Sequence, residues 1–227
     1  MYLFSNRRFK TLWSLVAILV TALIVTNATI YFRNVPTPNF LLEKGELRHH
    51  PLWRTAFYFH IVGACVCLAT GPLLMFRRLI QYRRFHAILG YTYLNSVLWV
   101  AGPTGLMISI VANGGLISAL GFILTGVFWW LSTWLGYRAI KKDRLAQHIA
   151  WMVRSYSISL SAVWFRLIQL ALSFVLNDND SYIASVWLSL LVSVRISESC
   201  IARFLPNQKL LPRNLPRAMG RFFSSTA

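Results

Sequence analysis

The stretch Thr55–Phe76, TAFYFHIVGACVCLATGPLLMF, runs for 22 residues without an Asp, Glu, Lys or Arg. A helix needs roughly 20 such residues to cross the hydrocarbon core of a bilayer. Arg54 stands just before it, and Arg77 and Arg78 just after it. An apolar run of this length with charge only at its ends reads as a membrane crossing rather than a buried helix of a soluble domain.

The same pattern recurs on both sides. Further apolar runs cover about 12–32, 86–112, 114–137, 149–176 and 182–204. Asn113, Gly114 and Gly115 predict a tight turn between two of them, and Asn177 to Asp180 form a polar break between another two. The last run is the least apolar, because Arg195, Glu198 and Arg203 fall inside it. The first follows Arg7, Arg8 and Lys10. It exceeds the roughly 7–15 apolar residues of a signal peptide and reads as a retained helix. The predicted fold class is therefore all-α: a polytopic membrane bundle of about six transmembrane helices. Residues 1–204 form a single transmembrane domain with a four-helix up-down core, built from the second to fifth helices. Residues 205–227, with three prolines and scattered basic residues, are expected to be a flexible cytoplasmic tail.

Composition agrees. The chain has 56% hydrophobic and 13% charged residues, against about 25% charged in soluble domains. Its net charge is +17, but the basic residues lie in short clusters between apolar runs instead of on one face of a folded domain. That pattern argues for loops at an anionic leaflet and against nucleic acid. Sixteen of the 23 Lys and Arg residues fall on one side of a six-helix arrangement. Among them are Arg83, Arg84, Arg138, Lys141, Lys142 and Arg144. The excess predicts a plasma or inner membrane protein with both termini in the cytoplasm. The cysteines, Cys65, Cys67 and Cys200, read as small buried hydrophobes. Trp129, Trp130 and Trp134 read as an interfacial belt.

Three histidines, His60, His86 and His148, lie at or within membrane runs, where ionisable groups are costly and often functional. His86 and His148 open the third and fifth helices. These start on the same side and stand diagonally across a four-helix core. Two imidazoles at one depth on diagonal helices are placed to ligate one haem b iron from both faces. The stripe through His148 contains Ser155, Ser159, Ala162 and Arg166, and the stripe through His86 contains Gly90, Tyr93, Val97 and Thr104. Arg166 lies five turns from His148 on the same face. It and His60, near the external side, are candidates for binding an anionic group. Arg195 and Glu198, three apart, are placed to neutralise each other. Glu198 and Arg154 are the candidates for acid–base work, with His148. His49 and His50 read as solvated loop residues, and no metal other than a haem iron is expected.

These residues carry a family resemblance. His60 with Gly63, Gly71-Pro72, the run His86 to Tyr93, Gly114-Gly115 with Gly121-Phe122, and the run His148 to Tyr156 with Arg166 downstream resemble the bacterial membrane proteins of "domain of unknown function 2306". The resemblance covers roughly 50–200, and Trp151-Met152-Val153-Arg154-Ser155-Tyr156 is its most specific part. Ala87 and Ile149 replace residues that are commonly basic in that family. The helical plan is similar to that of transmembrane b-type cytochromes of the ascorbate-reductase kind, which hold two haems with four histidines. That likeness implies one haem, between His86 and His148, since the fourth helix has no histidine to partner His60. The leading expectation is a single-haem membrane protein passing electrons to a quinone or a redox partner protein. Its rivals are a small-molecule or anion binder or transporter using Arg166 and His60, a cofactor-free membrane enzyme, and an accessory structural subunit.

Overall fold

The computed structural model describes residues Thr26, Thr29, Tyr31 and Phe32, then 39–75 and 81–204. The expected first span, apart from those four residues, and the tail 205–227 lie outside the described residues. Among the described residues all regular structure is helical. A short helix α1 (Asn39–Glu43) and a 3-10 turn (Gly45–His49) lead into α2 (Pro51–Met75). Then come α3 (Arg83–Asn95), a π-helical segment (Ser96–Ala101) and α4 (Gly102–Ser109). After a turn follow α5 (Gly115–Lys141), α6 (Leu145–Ser159), α7 (Ser161–Leu172) and α8 (Asp178–Phe204).

Helices α2, α5 and α8 are each long and apolar enough to cross a membrane. The last expected span, interrupted by charge in the sequence, is thus one continuous helix. The third and fifth expected spans are instead each built from two helices end to end. In the third the cause is Pro103. The chain enters a π turn in which Gly102 N–H bonds the Val97 carbonyl, five residues back. The next acceptor in that register, Leu98, would need an N–H from residue 103, and proline has none. Trp130 Nε1 on α5 donates to the Leu98 carbonyl at 3.1 Å instead. In the fifth span the break falls at Leu160. Here the Ser159 hydroxyl turns back on the Ser155 carbonyl at 3.3 Å, a contact that bends helices.

The predicted turn at Asn113-Gly114-Gly115 is present. Gly114 and Gly115 have φ of +77° and +69°, which only glycine adopts without strain. At the other end, Asp143 takes the left-handed conformation between α5 and α6. Arg83, Arg84, Arg138, Lys141, Lys142 and Arg144 gather at this second, basic end.

Helices α2, α3–α4, α5 and α6–α7 form a ring in that order, closed by contact between α6 and α2, with α8 laid across α5, α6 and α7. This is the expected four-helix core with one helix added. Its centre contains Cys67, Tyr93, Val97, Ala101, Trp129, Tyr156 and Ile158. Gly71 is required where α2 meets α6, because a Cβ there would lie 2.1 Å from the Tyr156 ring. The face of α8 toward the bundle is a stripe of buried serines: Ser181, Ser185, Ser189, Ser193 and Ser197. Each hydroxyl bonds a carbonyl of its own helix three or four residues back. The stripe therefore needs no partner and permits close helix approach. Outward side chains such as Trp99, Leu116, Leu170 and Phe174 are large, apolar and exposed, as a lipid-facing surface requires.

The belt expected of Trp129 and Trp130 is corrected. Trp129 is buried, and its Nε1 donates to Tyr93 Oη at 3.4 Å. Both indoles find carbonyl or hydroxyl acceptors inside the bundle.

Candidate functional site

Two polar regions occupy the interior. The first is closed. Tyr93 Oη on α3 lies 2.8 Å from Ser155 Oγ and 3.0 Å from Ser159 Oγ on α6. Ser155 Oγ is 2.6 Å from Thr133 Oγ1, which donates to the Trp129 carbonyl at 2.8 Å. The expected stripes through His86 and His148 thus do face each other, and they meet at Tyr93. The network ties α3, α5 and α6 across the bundle and leaves no hydroxyl in it unbonded.

The second region is hollow. A cavity of about 300 Å³ lies between α2, α4, α5, α7 and α8 and reaches the strap of residues 39–49. That volume is at the lower end for small-molecule sites. Phe40, Trp53, Phe122, Trp129, Phe165 and Tyr182 give the wall its aromatic surfaces. Phe40, Phe57 and Trp53 stack, and Phe165 sits edge-on to Tyr182. The lining residues that bear positive charge are Lys44 and Arg166, and no Asp or Glu lines the cavity.

Lys44 holds the strap in place. Its Nζ donates to the Val111 carbonyl at 2.6 Å and to Asn113 Oδ1 at 2.5 Å. Asn113 Nδ2 in turn donates to Glu43 Oε2 at 2.6 Å. Burial lowers the Lys44 pKa from the usual ammonium range, and the Glu43 carboxylate opposes that shift. Arg166 on α7 lies over the Phe165 ring and reaches Gln169 Oε1 at 3.4 Å. Neither contact neutralises it.

His60 on α2 also lines the cavity. Its Nδ1 lies 2.8 Å from the Ala101 carbonyl at the end of the π segment. Gly105 makes room for the ring, since a Cβ there would come within 2.8 Å of Nδ1 and Cε1. Trp53, two turns earlier on α2 and about 10 Å away along the axis, has a buried Nε1 with no acceptor. Buried donors without partners are uncommon, and such a group calls for an explanation. The expected pair Arg166 and His60 is therefore brought to one cavity. Lys44 and Trp53 join it. Neither is among the candidates that sequence reasoning singles out.

His86 and His148 lie within electrostatic reach of each other at the basic end, and neither lines the cavity. His148 Nδ1 is 2.9 Å from the Gly136 carbonyl on α5, and His86 Nδ1 is buried without a partner. Among the described residues no group of three or more His, Cys, Asp or Glu side chains is placed to hold a metal ion.

Glu198 does not pair with Arg195. It takes a two-pronged ion pair from Arg154 on α6, with Nε to Oε1 at 2.6 Å and Nη2 to Oε2 at 2.9 Å. Arg154 also covers the Trp151 ring. A guanidinium on the facing helix offers Glu198 the fork geometry that a neighbour on its own helix does not. Arg154 and Glu198 thus come together, while His148 bonds elsewhere.

No curated protein and no solved structure matches the chain. Residues 57–201 match the model of a family described as "Predicted membrane protein (DUF2306)". That span takes in most of α2, all of α3 to α7 and most of α8, and every cavity-lining residue except Phe40, Lys44 and Trp53. By this match over more than half its length, the chain belongs to the DUF2306 family of predicted membrane proteins.

Proposed function

We propose that this membrane protein binds a small amphiphilic anion in the cavity between α2, α4, α5, α7 and α8. The observation that carries this reading is the wall itself: Lys44 and Arg166 line a largely apolar space whose lining residues include no Asp or Glu. A cation beside a low-dielectric space attracts negative charge more strongly than it would in water. The aromatic walls suit an apolar body. We place the basic end in the cytoplasm by its Lys and Arg excess, so the strap and the cavity belong to the opposite side.

The test uses the full chain in detergent, with octanoate as probe. At about 100 times its dissociation constant a ligand stabilises the folded state by about 2.7 kcal/mol. At about 2–4 °C per kcal/mol for a chain of this size, Tm rises by about 5–10 °C. Arg166→Ala is expected to retain its fold and lose that rise. No rise in the parent chain, or an equal rise in Arg166→Ala, overturns the reading.

A second reading rests on a separate observation, the histidine pair at the basic end. A carbonyl only accepts, so His148 Nδ1 carries the proton toward Gly136 and Nε2 is left as a ligand atom. His86 Nδ1 has no partner and is likewise free to ligate. This donor set suits a b-type haem, which would supply one-electron chemistry when bound. The direct contact of Tyr93 with Ser155 lies two turns further in along both helices, about 10 Å, and bounds the space a porphyrin would take. A reduced-minus-oxidised spectrum of protein from haem-replete cells tests it. A sharp Soret and alpha band lost in His86→Ala and His148→Ala supports the haem, and a flat spectrum removes it.

A further inference from the structure

The cavity wall is not uniform in what it offers a bound molecule. Lys44, Arg166 and Trp53 Nε1 can only donate hydrogen bonds. His60 differs, and the surrounding backbone decides how. Its Nδ1 faces the Ala101 carbonyl at 2.8 Å, and a carbonyl oxygen can only accept. The proton therefore sits on Nδ1, and in the neutral ring Nε2 carries a lone pair. Gly105 gives the ring its seat, since a Cβ there would lie 2.8 Å from Nδ1 and Cε1. No hydrogen bond to Nε2 forms among the described residues. The other titratable or charged groups on the cavity wall are Lys44, Arg166 and Tyr182.

Building on the anion-binding reading of this cavity, we infer that His60 Nε2 accepts a hydrogen bond from a hydroxyl on the ligand, so that the preferred ligand class is a hydroxylated amphiphilic acid. The negative head answers the two cations, the apolar body the aromatic walls, and the hydroxyl the His60 lone pair. A plain carboxylate or hydrocarbon end set against Nε2 leaves that lone pair unbonded, and this lowers affinity. A hydroxyl satisfies it without any change in the charge of the site.

The experiment compares octanoate with its alpha-hydroxy and omega-hydroxy derivatives by titration calorimetry on the detergent-solubilised full chain. At least one hydroxylated acid is expected to bind about tenfold more tightly than octanoate, the worth of one well-made buried hydrogen bond. In His60→Phe that preference is expected to vanish while octanoate binding persists. Spectra of isotope-labelled histidine in the unsubstituted chain give a readout that needs no variant. His60 Nε2 should resonate as an unprotonated nitrogen and shift with the hydroxylated acid but not with octanoate. Equal binding of all three acids, or a protonated Nε2 in the free protein, overturns the inference and leaves the anion site standing. If none of the acids binds, the anion site itself has failed and the inference falls with it.

Discussion

The bundle treats its polar groups in two opposite ways within a few helical turns. Around Tyr93 every hydroxyl is bonded: to Ser155, to Ser159, to Thr133 or to a carbonyl. Around His60 the polar atoms are left open. Trp53 Nε1 has no acceptor and Arg166 no counter-charge, and the space between them is hollow. Both regions draw on α5, and Trp129 and Ser159 touch both. The difference teaches where to look for function. A satisfied network fixes helices against each other. Unsatisfied donors around a cavity are costly in an empty protein, and a ligand would satisfy them.

The same substitution type should separate the two regions most sharply. Gly71→Leu in the closed region drives a side chain into the Tyr156 ring. It is expected to lower stability by about 3 kcal/mol or more, read as a fall in Tm. Gly71→Leu combined with Tyr156→Ala should recover part of that loss. Tyr93→Phe removes one hydroxyl shared by Ser155, Ser159 and Trp129, and should cost about 1–3 kcal/mol in the same measurement. Ala64→Leu, on the cavity wall, enlarges a side chain as Gly71→Leu does. It should leave stability unchanged or raise it by about 0.5–2 kcal/mol, and should abolish the response to octanoate. If Ala64→Leu destabilises as much as Gly71→Leu, the two regions are packed alike and the contrast is lost. The smallest effect belongs to neither region. In the Arg154–Glu198 pair the side chains are 21% and 48% exposed, so Glu198→Gln should change stability by less than about 1 kcal/mol, and by less still at high salt.

Much of the fold was legible because hydrophobic run length is a local signal. The runs at about 55–76 and 114–137 became α2 and α5 with ends shifted by a few residues. The stripes through His86 and His148 were legible for the same reason, since 3.6-residue periodicity places Tyr93 and Ser155 on facing sides. The π segment was not. The missing N–H of Pro103 acts on a carbonyl a turn earlier, and Trp130 from another helix completes the arrangement. Lys44 was hidden for a related reason. Its partners, Val111 and Asn113, lie 67 and 69 residues away, and no local pattern in the strap announces them. Arg195 beside Glu198 misled because spacing on one helix says nothing of a better partner 44 residues off. Arg166 and His60 were paired by depth and chemistry alone. Their sharing of one cavity emerged from the bend at Leu160 and the packing of α2 on α4.

The central claim is that the hollow region is a binding site and not a packing defect. Titration calorimetry of octanoate against the full chain and against Arg166→Met tests it most directly. The account predicts saturable binding of one equivalent in the parent chain, weakened about tenfold or more in Arg166→Met through loss of a charge-assisted contact. Absence of saturable binding, or equal affinity in the two proteins, would contradict it.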